Sequence, residues 1–260
     1  PSMEAEPRLA KDLAEMVEEL VGPLGVAERI RELSGKVDRE KMALKIAEEI
    51  IYAKFGHRDE QQALGQSIRT ALAILTGGIT AAPLQGISDV RVKQNLDKTR
   101  YLAIYFAGPI RSAGGTEQAL ILVIGDFVRR RLGLDRYKPT DLEIRRFIEE
   151  IRVYEREISR FQYHVSDREL EIVMRNLPVE VTGVETDRVE VSSFRNLPRI
   201  ETNCVRGGAL RVINDGVVGR ARKILKIVEE FEVEGWEWLA KLEINEGPTE
   251  AAELRYMEDV

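Results

Sequence analysis

The sequence predicts an α+β fold that is predominantly helical: an N-terminal helical bundle, then a small sheet packed with helices. Three observations carry this. Apolar residues recur at helical spacing through the first 78 positions, between glycine stops. Tyr101 to Phe106 then reads as a buried strand, followed by a glycine loop, Gly108-Pro-Ile-Arg-Ser-Ala-Gly-Gly115, and an almost wholly apolar helix. Period-two alternation appears only in short pieces, near position 90 and between 179 and 191.

Leu9 to Leu20 is the first helix, stopped at Gly22-Pro23, where a left-handed cap is followed by a residue without a donor. Gly25 to Leu33 is a short second helix, closing at Gly35. Asp38 caps a third, whose Met42, Leu44, Ile46, Ile50 and Ile51 face inward up to Gly56. Asp59 caps a fourth, running through Leu64, Ile68, Leu72 and Leu75 to Gly77-Gly78. Thr80 to Ile87 contains Pro83 and Gly86 and marks a boundary. The expected division is a helical subdomain at 1–80, an α/β core subdomain at 81–242 and an acidic tail at 243–260.

Val90 and Val92 alternate with Arg91 and Lys93 in a short strand ahead of the core strand. Ala119-Leu-Ile-Leu-Val-Ile124 has no polar face, so its helix must be covered on several sides. Thr116 is placed at that helix's N-cap and Gly133 at its far end. Thr140-Asp-Leu-Glu143 and Ser166-Asp-Arg-Glu169 are capping boxes that predict helices near 141 to 158 and 167 to 176, with the glutamates acting as caps. Val179-Glu-Val181 and Val189-Glu-Val191 are expected to pair as a hairpin, with Ala209 to Ile213 as a third strand. After Asn214-Asp-Gly216 an amphipathic helix turns Ala221, Ile224, Leu225 and Val228 inward and Arg222 and Lys226 outward. Trp236 and Trp238 serve as packing anchors.

Composition limits the function. At 43% apolar and 32% charged residues the 260-residue chain is a globular protein with ample length for a core, and the charge density suits heat adaptation. Net charge is −6, so the whole molecule is no general polyanion binder. The charge is uneven, however. Arg199, Arg206, Arg211, Arg220, Arg222, Lys223 and Lys226 face only Glu201 and Asp215, whereas the sequence beyond Ile227 is strongly acidic. Cys204 is the single cysteine and His57 and His164 are far apart, which argues against a disulfide or a zinc site. The apolar run at Ala119 ends at Asp126, well short of the roughly 20 residues of a membrane span. The expectation is a cytoplasmic protein, and a chain beginning at Pro1 is expected to be a fragment of a longer one.

No nucleophile with a neighbouring base is legible. Ser112 lies outside a Gly-x-Ser-x-Gly elbow, His164 reads as a structural imidazole, and Glu149-Glu150 and Glu229-Glu230 read as solvated helix faces. The glycine loop has neither the P-loop Lys-Ser/Thr nor dinucleotide spacing. The candidates are therefore phosphate contacts. Arg111 with the backbone of Gly114 and Gly115 stands at a helix N-terminus, whose N–H groups attract anions. Arg206 precedes Gly207-Gly208, and Arg220, Arg222 and Lys223 follow Gly216 to Gly219, whose spacing is that of the backbone clamp of KH modules. Arg129, Arg130 and Arg131 either complement the helix dipole or contact DNA.

Tyr105-Phe-Ala-Gly-Pro-Ile-Arg-Ser-Ala-Gly-Gly-Thr116 closely resembles the signature near the N-terminus of the large subunit of archaeal family D DNA polymerase. Leu132-Gly-Leu-Asp-Arg-Tyr-Lys-Pro139, Gln162-Tyr-His164, Met174-Arg-Asn176, Glu201-Thr-Asn203, Arg206-Gly-Gly-Ala209 and Gly235-Trp-Glu-Trp-Leu239 extend the resemblance, which runs from about Leu20 to Leu239. It implies a two-subunit replicative polymerase. Nucleotide addition would use magnesium held by aspartates outside this chain, and a small subunit would supply proofreading exonuclease activity. No residue here matches either metal motif, so the chain is expected to be inactive alone and to carry no cofactor. Its expected partners are the remainder of the large subunit, the small exonuclease subunit, DNA through its phosphates, and a copy of itself. A purely structural scaffold is the alternative.

Overall fold

The computed structural model describes residues 12–77 and 81–242. The start of the first helix at Leu9, Gly78 and Thr80 near the boundary, and the tail from 243 onward lie outside the described residues.

Four helices open the chain where the caps and glycine stops place them: α1 (Leu13–Val21), α2 (Val26–Leu33), α3 (Arg39–Ile51) and α4 (Glu60–Leu75). The carboxylates of Asp12, Asp38 and Asp59 accept from the N–H groups of Glu15, Lys41 and Gln62 at 2.8, 2.7 and 3.0 Å, fixing three of the four starts. A short helix, α5 (Ala81–Gly86), leads into β1 (Ile87–Gln94), which runs antiparallel to β2 (Arg100–Phe106). In β2 the alternation sends Leu102, Ile104 and Phe106 into the main core, while Tyr101, Ala103 and Tyr105 enter a smaller cluster with Tyr137 behind the sheet. Both faces are therefore buried, as the unbroken apolar run requires.

A 3-10 turn (Gly108–Ser112) joins β2 to α6 (Gly115–Arg131). This helix lies under the sheet so closely that a Cβ on Gly125 would sit 2.8 Å from Ile104 Cδ1. Gly133, at φ 64°, closes it: Gly133 and Leu134 donate to the carbonyls of Arg130 and Arg129 at 3.0 and 2.9 Å, a Schellman pattern. The start differs from expectation. Gly114, not Thr116, is the N-cap, because the carboxylate of Glu117 reaches back to the Gly114 N–H at 3.0 Å and leaves Thr116 inside the first turn. α7 (Asp141–Glu157) and α8 (Asp167–Asn176) follow, each opened by its capping box.

Two strand expectations are overturned. Residues 180–183 form β3 (Glu180–Gly183), but β3 pairs parallel with β2, opposite Ala103 to Phe106, rather than in a hairpin. The second half of the supposed hairpin turns to residues 203–205 instead, with Val191 N–H on Asn203 O and Val205 N–H on Val189 O. Period-two alternation marks an extended, half-buried segment without saying which neighbour it meets. Ala209 to Ile213 is not a strand but belongs to α9 (Gly207–Arg211) and the wider π-helical turns of Val212–Val218 that continue it. Leu210, Val212 and Ile213 are fully enclosed, and an apolar run covered on all sides has no polar phase to distinguish helix from strand.

α10 (Ala221–Glu230) and a 3-10 turn at Glu237–Lys241 complete the described chain. Trp236 and Trp238 stack with ring centroids 6.0 Å apart, and the Trp236 indole donates to buried Asp126 at 2.9 Å. The architecture is thus α+β and mainly helical, a three-stranded sheet in the order β1-β2-β3 set among helices. Among the described residues no helix is long and apolar enough to cross a membrane.

Candidate nucleic-acid interface

The glycine loop is partly enclosed: Ile110 is buried, whereas Pro109, Ser112 and Gly114 are exposed. Its helix N-terminus already carries an anion, the Glu117 carboxylate on the Gly114 N–H. Gly115 is a packing glycine: a Cβ there would lie 2.5 Å from the Asp215 carbonyl oxygen and 3.2 Å from Arg220 Cγ. Arg111 is half-buried, ion-paired with Asp187, and stands 5.6 Å over the Tyr154 ring. Its Nε is buried without a partner.

Arg206 is buried rather than presented to a ligand. Its guanidinium meets Glu150 at 2.8 Å and donates to Thr182 Oγ1 at 2.9 Å, and Glu150 also holds Arg146 at 2.6 Å. Glu150 and Arg146 are fully enclosed, which corrects the reading of Glu149-Glu150 as a solvated face. Glu149 is a loop clamp: it accepts from the N–H groups of Ser192, Ser193 and Phe194 at 2.9, 2.8 and 3.0 Å. Burial alone would raise its pKa, but those three donors outweigh it and hold the carboxyl below its ordinary range. His164 is exposed, with its Nδ1 3.7 Å from a Glu155 carboxylate oxygen.

The KH-like reading of Gly216 to Gly219 also fails, because these glycines face protein. A Cβ on Gly216 would lie 3.0 Å from Gln118 Cβ, and one on Gly219 would lie 2.3 Å from the Tyr163 ring. Here α6, the π-helical turns, the 159–165 loop and the start of α10 converge. Arg211 pairs with Asp215 at 2.8 Å and lies 5.0 Å over Phe161, which stacks on Tyr154. Gln118 Oε1 and Asn214 Oδ1, buried in the same seam, lack partners.

At the outer end of this seam the surface is basic. Arg220, half-buried, donates to the Tyr163 hydroxyl at 2.5 Å. Ala221, Ile224 and Val228 anchor α10 while Arg222, Lys223 and Lys226 are exposed. Arg220, Arg222 and Lys223 thus crowd the N-terminal end of a helix whose dipole is positive there, and Glu229 and Glu230 occupy its negative end. Each such placement is unfavourable by about 0.3–1 kcal/mol. Beyond α10 the groove of about 310 Å³ between it and the last turn is lined by Glu229, Glu232, Glu234 and Glu237 around Leu225 and Val233.

The fold therefore brings Gly115 against Arg220 and continues to Arg222 and Lys223, but encloses Arg206 and ties Arg111 to an acid. Of the arginine run, Arg129 is buried on Asp126 at 2.6 Å, Arg130 also reaches Asp126, and Arg131 lies 3.4 Å from Glu48. Nothing local in the sequence announces Tyr163, Asp187 or Glu150 as the partners that decide these roles. Among the described residues no group of three or more His, Cys, Asp or Glu side chains is placed to hold a metal ion.

A family model described as the N-terminal part of DNA polymerase II large subunit DP2 matches residues 1–245. DNA polymerase II large subunits of Methanococcus maripaludis and Thermococcus kodakarensis are 53% and 52% identical over 234 and 242 residues. That of Pyrococcus furiosus is 50% identical over 266 aligned positions covering 98% of this chain. The chain spans 21%, 13% and 21% of the lengths of these three archaeal relatives.

Proposed function

We propose, from the premise that this chain belongs to the family of N-terminal regions of DNA polymerase II large subunits, that it is a non-catalytic part of the polymerase that supports assembly and holds DNA by its phosphates. The observation that carries the DNA contact is α10, where Arg222 and Lys223 are exposed beside Arg220 against the helix's own dipole. Phosphates at this end of the helix would complement both its dipole and its cationic side chains. Arg220 is held in place by Tyr163, and Arg222 and Lys223 are exposed in the first turn that follows it. Such contacts fix position without reading sequence. Nucleotide addition with its magnesium is assigned to the remainder of the large subunit, and proofreading to a small partner subunit.

Titrating fluorescently labelled single- and double-stranded DNA with this chain at two salt concentrations tests the reading. Non-specific binding in the range of roughly 10⁻⁴–10⁻⁶ M is expected, weakening steeply with salt. Binding that R222E/K223E leaves unchanged would remove α10 from the interface. The enclosure of Arg206 and the pairing of Arg111 with Asp187 favour the second reading, a scaffold without DNA contact. Assembly with the rest of the polymerase, without a DNA shift, would establish it.

A further inference from the structure

The arginines of this fold follow a rule with few exceptions. Buried and half-buried Arg29, Arg129, Arg146, Arg152, Arg199 and Arg206 each hold a carboxylate, as Arg111 and Arg211 do. Three half-buried arginines make no such ion pair among the described residues: Arg220, at the basic end of α10, and Arg58 and Arg69. Among the described residues Arg58 donates to the carbonyls of Phe55 and Gly56 at 3.1 and 3.3 Å, and Arg69 to that of Ile87 at 2.7 Å. Burial pushes the Arg69 guanidinium below its ordinary range, and the charge of Asp89 only partly offsets this. Asp89 is itself spent on Arg91 at 2.6 Å.

Arg58, Gln62, Gln66 and Arg69 fall four, four and three residues apart, so they share one face along α4 and the turn before it. With Leu20 and Val21 at the end of α1 they line a groove of about 430 Å³ that contains no carboxylate. Leu20 is 49% exposed, giving the groove an apolar wall. Gly65 leaves room for the arginine: a Cβ there would lie 2.9 Å from Arg69 Nη1.

We infer that this groove docks a segment of the polymerase assembly outside this chain, one that places a carboxylate between Arg58 and Arg69 and an aliphatic side chain on Leu20 and Val21. Charge complementarity supplies the first contact and the apolar wall the second. A nucleic-acid strand fits less well, since a run of phosphates extending past Gln62 and Arg69 would meet Asp59 and Asp89 in the adjoining groove, whereas a single carboxylate need not. The inference rests on this chain being part of a polymerase, but it is independent of α10.

The test places a photo-crosslinking amino acid at exposed Gln62 in the purified full-length large subunit, assembled with its partner subunit and labelled primer-template. Crosslinked peptides are then mapped by mass spectrometry. One site carrying an acidic residue beside an aliphatic one is expected, with yield reduced at least tenfold by R58E/R69E and largely retained in R58K/R69K. Thermal unfolding of each variant, together with DNA affinity, confirms folding and separates failure here from failure of the α10 reading. Crosslinks to DNA, crosslinks to position 62 of a second copy, no crosslink, or a yield indifferent to charge reversal would each overturn the inference.

Discussion

Glu150 decides more of this structure than any residue of the glycine loop. It stands between two guanidinium groups, Arg146 at 2.6 Å and Arg206 at 2.8 Å, and all three residues are buried. Glu150→Ala leaves two buried cations without a counter-charge, so a loss of about 3–5 kcal/mol is expected in urea unfolding. Glu149, its neighbour, gives a pH signature. Its folded-state pKa is depressed, so its contribution is present above the unfolded value of about 4.3 and lost as pH falls through the folded one. Protection of the Ser192, Ser193 and Phe194 amides from hydrogen exchange, taken relative to the intrinsic rate at each pH, should therefore be present at neutral pH and fall selectively in acid, and Glu149→Gln should abolish that dependence. Residue roles were legible where both partners are local: the caps at Asp38, Asp59, Thr140 and Ser166 follow from spacing alone. They were illegible where the partner is distant, as with Arg111 and Asp187 or Arg206 and Glu150. One-dimensional proximity to glycine suggested phosphate, and in three dimensions each of these arginines also meets an acid.

At the scale of elements, the helices with one apolar face and a cap could be read directly, and so could β1 and β2. The errors fall where an element is buried all round or pairs with a distant segment. α9 and its π-helical continuation have no solvent side, and β3 finds β2 across α6, α7 and α8. The same burial explains the glycines. Gly115 closes the approach of α6 to the Asp215 carbonyl, and Gly115→Ala would force a Cβ to 2.5 Å from that oxygen. A destabilisation of about 1–3 kcal/mol is expected, measurable by thermal unfolding, with no dependence on added phosphate. Protection by phosphate would instead mean that the loop binds anions as its sequence suggests. α10 carries the opposite lesson. Its amphipathic pattern was plain, but the conflict between its charges and its dipole has meaning only once Arg222 and Lys223 are known to be exposed.

Across the whole molecule, charge is sorted while net charge stays negative at −6. The start of α10 is basic, the groove beyond its end is acidic, and Arg58 and Arg69 form a separate cationic groove on α4. On the proposed reading, such sorting would hold a polyanion at one place and repel it elsewhere, orienting the strand as well as binding it. The account therefore stands on the number of phosphates engaged at α10. The slope of log affinity against log salt counts them, at about 0.9 per phosphate on duplex DNA. For this chain and its R222Q/K223Q variant the account expects linear plots whose slopes differ by about two, with circular dichroism unchanged. Equal slopes for the two proteins would contradict it.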